Sequence, residues 1–179
     1  GFVLSAMNEL AVWVDETLVA LNSDWTRTVG AFISSDFEVI GIRAVNYGDG
    51  SFGGILASLP SLGIVSDSSW KCSGNSSYEL DQSWLKSSFN DIDWPFAQSQ
   101  GDLYSDPWKG IHADQLVLYP SPQSHLPTAR YIWASSLSEQ FTTVYCRFKR
   151  ASSSSAKIDS SIRYVNNSFV PTSFGLGSH

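Results

Sequence analysis

Residues 67–97 read DSSWKCSGNSSYELDQSWLKSSFNDIDWPFA, and this stretch holds three of the seven tryptophans, Trp70, Trp84 and Trp94, with one of the two cysteines, Cys72. Its Ser, Asn, Asp and Gly residues punctuate the apolar positions into short runs, the pattern of brief strands joined by turns. Pro95 holds Trp94 in an extended conformation. The tryptophans either plug a core or stand as platforms for a ligand. Parity decides one of them. Trp70 and Cys72 lie two apart on one face of a strand, as do Val144, Cys146 and Phe148 on another, so Trp70 goes to the core and both sulfurs point the same way. Trp84 and Trp94 stay open.

Upstream, residues 37–45, FEVIGIRAV, form a clear strand with Ile40, Ile42 and Ala44 on one face and Val39, Gly41 and Arg43 on the other. Residues 46–51, NYGDGS, follow as a turn, and residues 53–59, GGILASL, resume as a strand, which predicts a hairpin with a wide polar tip. Residues 4–21, LSAMNELAVWVDETLVAL, admit helix or strand. The Val and Trp content and the alternation favour a strand that turns at Asp15-Glu16 and returns to Leu21. Asn22-Ser23-Asp24 is a loop leading into Trp25, and residues 26–33 are a short β-like run.

Downstream, residues 74–82 read as an exposed loop. Residues 97–127 read as irregular, with Pro107, Pro120, Pro122 and Pro127 excluding a long helix. Residues 129–133 and 142–149 are two late strands. At least seven short strands with turn signals predict an all-β fold, a β-sandwich occupying residues 1–150 as a single domain. The run RASSSSAKIDSS opens a Ser-rich linker and tail over residues 151–179.

A formal net charge of −6 and a pI near 4.8 argue against a nucleic-acid partner, because phosphate binding needs clustered cations. No apolar run approaches the ~20 residues of a membrane span. Polar coverage comes from Ser, Asn and Gly more than from charged residues, a balance typical of secreted β-proteins. The start at Gly1, with no basic leader, suggests a mature or excised fragment. Asn75-Ser76-Ser77 and Asn166-Asn167-Ser168 are glycosylation sequons. Cys72 and Cys146 are either two buried thiols or a disulfide; the extracellular signs favour the bond and a secreted location.

The order of motifs AVWVDETLVAL, VIGIRAVNYGDGSFGGILASL, IVSDSSWKCS, WLKSSFNDIDWPFA, ARYIWASS and TVYCRFKR resembles the galactose-binding-like jelly-roll domains that accompany bacterial glycosidases and rhamnosidases. The resemblance covers roughly residues 10–150. It implies a jelly-roll sandwich and a carbohydrate-binding or purely structural role. The cysteine pair departs from the bacterial pattern.

Asp91 and Asp93 would face one side of a strand, and a glycosidase needs two carboxylates about 5 to 9 Å apart, but their place in a turn favours capping of backbone amides. His112 and His125 have no GxSxG nucleophile to serve, so the sequence reads as no enzyme. The cysteines lack metal-binding spacing. Calcium is the candidate cation, with Asp15, Asp24, Asp49 and Asp67 in turns, although turn-capping accounts for each singly.

The favoured function is a non-catalytic, lectin-like carbohydrate-binding module of an extracellular protein. Sugars need an aromatic platform beside planar polar groups. Trp25 beside Asn22 and Asp24, Tyr47 beside Asn46 and Asp49, and Trp108 beside Asp106 and Lys109 fit that description, while Trp13, Trp70 and Trp133 read as core. The competing class is a structural or protein-interaction module of a larger secreted or matrix protein. Under the lectin reading an oligomer or multidomain parent is expected, because weak single sites gain from multivalency.

Overall fold

The computed structural model describes residues 2–6, 8–24, 29–47, 52–102, 104–106, 128–136 and 142–151. Within them the chain is all-β, with two antiparallel sheets and no α-helix. One sheet runs β4 (Val29–Ala31), β1 (Phe2–Ala6), β6 (Ile55–Leu59), β10 (Tyr131–Trp133), β9 (Gln98–Gly101), with β7 (Ile64–Val65) also paired to β6. The other runs β3 (Thr17–Asn22), β2 (Glu9–Val14), β5 (Val39–Val45), β11 (Thr143–Lys149), β8 (Lys71–Ser73).

The hairpin β2–β3 forms where the alternation places it. Asp15 and Glu16 both take positive φ, 45° and 67°, as a two-residue hairpin turn of matching twist requires. The Asp15 carboxylate then accepts from the amides of Glu38 (3.0 Å) and Val39 (2.8 Å), tying the turn to the start of β5. Opposite Val12 and Trp13 the register slips by one residue, so Val19 is extra. This bulge lets Val19 and Ala20 both pack on the core while Leu18 and Leu21 both face outward.

The hairpin expected from residues 37–45 and 53–59 does not form. β5 pairs with β2 and β11, whereas β6 lies in the other sheet against β1 and β10. The glycine-rich segment between them is therefore a crossover between sheets, and turn composition alone does not distinguish the two. β1, absent from the sequence reading, is an interior strand, and β9 falls inside the segment expected to be irregular. The segment expected as a loop from residue 74 carries two short 3-10 turns, Ser76–Glu79 and Gln82–Leu85, capped by the Asn75 and Asp81 side chains.

Leu10, Val12, Ile40, Ile42, Ala44, Ile55, Ile132 and Val144 fill the space between the sheets, joined by Trp70, Trp133 and both cysteines. Each fully buried aliphatic side chain there contributes about 1.5–3 kcal/mol. Cys72 and Cys146 sit directly opposite on β8 and β11 with Cα atoms 4.0 Å apart, and they are bonded. The Cys72 amide donates to Pro95 O (3.1 Å), away from β11, so the cysteines occupy a non-hydrogen-bonded pair, where facing side chains come closest. The same bond, with Ala97 N to Trp70 O (2.8 Å), lays residues 95–97 along β8 and closes that sheet edge.

A second, smaller apolar cluster covers the outer face of the β3-β2-β5-β11-β8 sheet. Trp84 (1% exposed) and Trp94 (6%), the two undecided tryptophans, are buried there with Leu85 and Tyr145. Trp84 stacks near Trp94, with ring centres 6.1 Å apart, and meets Trp13 edge-on at 5.9 Å. Trp13, expected in the core, is half-buried on this outer face. Arg147, fully buried on β11, pins the covering loop. It donates to Trp84 O (2.9 Å) and Lys86 O (2.7 Å) and pairs with the Asp91 carboxylate, which also faces Lys71 Nζ at 3.3 Å.

Candidate functional site

Beside this covering layer the outer face of the sheet stays open, and its polar side chains follow from strand parity. On β2 the odd positions Glu9, Ala11 and Trp13 point outward; on β5 Gly41 and Arg43 do; on β11 Tyr145 and Arg147 do. Arg43 is thus flanked by Ala11 on one side and Tyr145 on the other. The first 3-10 turn brings Glu79 over it. Arg43 Nη1 donates to Glu9 Oε1 (2.6 Å) and its Nε to Glu79 Oε2 (2.7 Å). The Tyr47 hydroxyl donates to Glu9 Oε2 (2.8 Å), and the Tyr145 hydroxyl to Glu79 Oε2 (2.7 Å).

Two adjoining clefts open on either side of this network. One, of about 260 Å³, is walled by Trp13, Leu21, Tyr78, Gln82 and Trp84, with Glu9, Arg43 and Glu79 at its polar end. The other, of about 360 Å³, shares Arg43, Glu79 and Tyr145 and is completed by Gly74, Ser76, Thr142 and Thr143. Leu21 (65% exposed) owes its place in the wall to the β3 bulge. The indole Nε1–H of Trp84, buried on this wall, has no hydrogen-bond partner among the described residues.

The electrostatics are those of a fixed charge cluster. The hydrogen bonds from Tyr47 and Arg43 hold the Glu9 carboxyl below its ordinary range, and those from Arg43 and Tyr145 do the same for Glu79. Burial works against the Arg43 charge, yet its bonds to Glu79 and Glu9 more than offset this and raise its pKa. Burial, with the bond to Glu79, pushes Tyr145 up to about 12. Two carboxylates and one guanidinium leave the cluster one charge negative across the neutral range.

Of the residues singled out from sequence, Tyr47 (67% exposed) joins this cluster through Glu9, and its amide donates to Asn8 Oδ1 (3.1 Å). Asn46 is buried beside it, at 3% exposure, rather than offered to solvent. Asn22 and Asp24 close on each other instead: Asn22 Nδ2 donates to Asp24 O (2.9 Å) and Asp24 N to Asn22 Oδ1 (3.0 Å). Trp25, Asp49, Trp108, Lys109, His112, His125 and Asn166 lie outside the described residues. Asn75 is exposed, with its Oδ1 accepting from Ser77 N (3.0 Å).

Among the proposed calcium ligands, Asp15 caps β5 and Asp67 accepts from Ser69 N (2.8 Å); no three His, Cys, Asp or Glu residues gather as a metal set among the described residues. Asp91 is committed to Arg147 and Lys71, and Asp93 is exposed. Glu9, Arg43, Glu79 and Gln82 were not picked out from sequence. The available signal was Arg43 itself, a cation in the middle of an otherwise apolar strand. No helix of the described residues is long and apolar enough to cross a membrane. Set against models of protein families, curated proteins and solved structures, the chain has no match in any of the three comparisons.

Proposed function

We propose that the chain is a non-catalytic carbohydrate-binding module of an extracellular protein, a sandwich of the galactose-binding-like jelly-roll kind, and that its sugar site is the pair of clefts on the outer face of the five-stranded sheet. The observation that carries this is the Trp13–Leu21 wall facing the Glu9–Arg43–Glu79 network. It offers an apolar surface for one face of a pyranose ring and ionised acceptors for its hydroxyls. Tyr47 adds a solvent-facing aromatic whose hydroxyl is already oriented by Glu9.

The two carboxylates support the non-catalytic reading of these clefts. Glycoside hydrolysis needs one carboxyl with a raised pKa to donate its proton, whereas Glu9 and Glu79 are both lowered. The disulfide and the exposed Asn75 sequon fit an oxidising, glycosylating compartment.

The test is a glycan array probed with and without calcium, with Trp13→Ala and Arg43→Ala alongside. Binding that both substitutions abolish while the fold persists is the expected result; a chain that binds no glycan in either condition sinks the reading. A second reading, a structural or protein-interaction module, draws on the tryptophans. Trp70, Trp84, Trp94 and Trp133 are all buried, as in a scaffold. A folded chain silent on the array would be assigned to it.

A further inference from the structure

Resting on that carbohydrate reading, we infer that the outer-face clefts accept neutral or amine-bearing pyranose rings and reject acidic ones, with Glu79 as the residue that sets the choice.

The argument is one of charge and of unpaired groups. Glu9 and Glu79 carry two negative charges into the clefts, and Arg43, the sole cation among the described residues of either lining, spends its Nε and Nη1 on them. The other lining residues of the second cleft are neutral: Gly74, Ser76, Thr142, Thr143 and Tyr145. A uronate or sialate carboxylate entering here meets like charge with no free counter-ion, an arrangement that acts against the wrong partner. One of the groups left over asks for the opposite. The bonds from Arg43 and Tyr145 both go to Glu79 Oε2, so Oε1 takes no hydrogen bond from any described residue and suits a hydroxyl or ammonium donor. Trp84 Nε1–H is a buried donor without a partner among the described residues, suited to a ring or hydroxyl oxygen. A buried donor left unmet is costly, so a ligand that meets it gains.

Size limits the ligand too. Clefts of about 260 and 360 Å³ are each at the small end for ligand pockets, with room for about one ring apiece. Because they share Arg43, Glu79 and Tyr145, a disaccharide straddling the ion pair fills both.

The experiment uses the whole chain and NMR or calorimetric titration with glucose-, galactose- and mannose-configured disaccharides. Each is presented as the neutral sugar, the 2-amino sugar and the uronic acid. For whichever configuration binds, the uronic acid should be at least tenfold weaker than its neutral counterpart and the amine equal or tighter. Glu79→Gln should narrow the acid-to-neutral gap to within about threefold, and 1 M salt should narrow it on the unaltered chain, which keeps the test sound if the variant does not fold. Equal or tighter binding of the acidic sugar, or a gap that neither Glu79→Gln nor salt changes, overturns the charge selection while leaving sugar binding standing. Failure of all the sugars to bind overturns both.

Discussion

Replacing Gly41 by alanine probes how the covering layer is seated on the sheet. Gly41 lies on the outer face of β5 between Trp13 and Arg147, directly beneath the second 3-10 turn. A Cβ built there meets Leu85 Cδ2 closest of all, then Trp84 Cζ3 at 2.7 Å and Cη2 at 3.1 Å. Neither neighbour can yield cheaply. Both are 1% exposed, and the Trp84 carbonyl is held by Arg147. Overpacking of a tight site costs about 1–3 kcal/mol, and two immobile neighbours place this case at about 2–3. At about 2–4 °C per kcal/mol for a chain of this size, Tm should fall by about 4–12 °C.

Thermal melts followed by circular dichroism measure this, with tryptophan fluorescence reporting Trp84. Leu85→Ala alone should cost about 2–5 kcal/mol. Combined with Gly41→Ala it should cost less than the two singly added, by at least about 0.5 kcal/mol, because removing Leu85 Cδ2 vacates the space the new methyl needs. A Tm unchanged within about 1 °C, or a strictly additive double variant, would refute the close packing of turn on sheet.

The disulfide closes a sequence separation of 74 residues, which in the chain-entropy account stabilises by about 4.5 kcal/mol; reduction, or Cys72→Ser with Cys146→Ser, should lower the urea midpoint accordingly, and an unmoved midpoint would count against it. Arg147→Met strips the covering loop of its anchor, and loss of one partner from a buried pair costs about 3–5 kcal/mol, here toward the lower end because Lys71 still faces Asp91; hydrogen exchange should show residues 82–94 opening first. Raised phenol pKa values mean that the folded chain keeps protons the unfolded chain sheds above about pH 10. Stability should therefore fall between about pH 10 and the value near 12 reached by Tyr145, with buried Tyr131 adding to the loss, and Tyr145→Phe should flatten that limb of a urea-midpoint profile. On the acid side the depressed Glu9 and Glu79 give the opposite sign: their contribution holds above about 4.5, fades as pH drops below it, and should be smaller in Arg43→Met.

What the sequence made legible was local. The β2–β3 hairpin announces itself through Val and Trp alternation around Asp15-Glu16, and β5 through an apolar run interrupted only by Arg43. Parity, which turns both sulfurs toward the core, made a bond between Cys72 and Cys146 possible, and the extracellular signs favoured it over two buried thiols. Partner choice was not legible. FEVIGIRAV and GGILASL look like two arms of one hairpin, yet they belong to opposite sheets, because only the inter-sheet core decides where the second arm goes. Trp84 and Trp94 gave no parity signal, since a 3-10 turn and a loop carry them onto the sheet rather than a strand. The candidate site escaped for the same reason. Arg43 meets Glu9 and Glu79 across 34 and 36 residues of chain, and neither spacing has a periodic mark. Tyr47 was picked out as an aromatic beside Asn46 and Asp49, a local rule.

The order in which strands lie in the two sheets bears on how the chain is made. β5 sits between β2 and β11, and β6 between β1 and β10, so each sheet joins early segments to late ones. While a ribosome emits the chain at about 5–20 residues per second, β2, β5 and β6 wait, with their apolar inner sides uncovered, on the order of ten seconds for β10 and β11. Cys72 waits with them for Cys146. A nascent chain of this design needs shelter from aggregation until β11 emerges, and an oxidant that acts after that strand has docked.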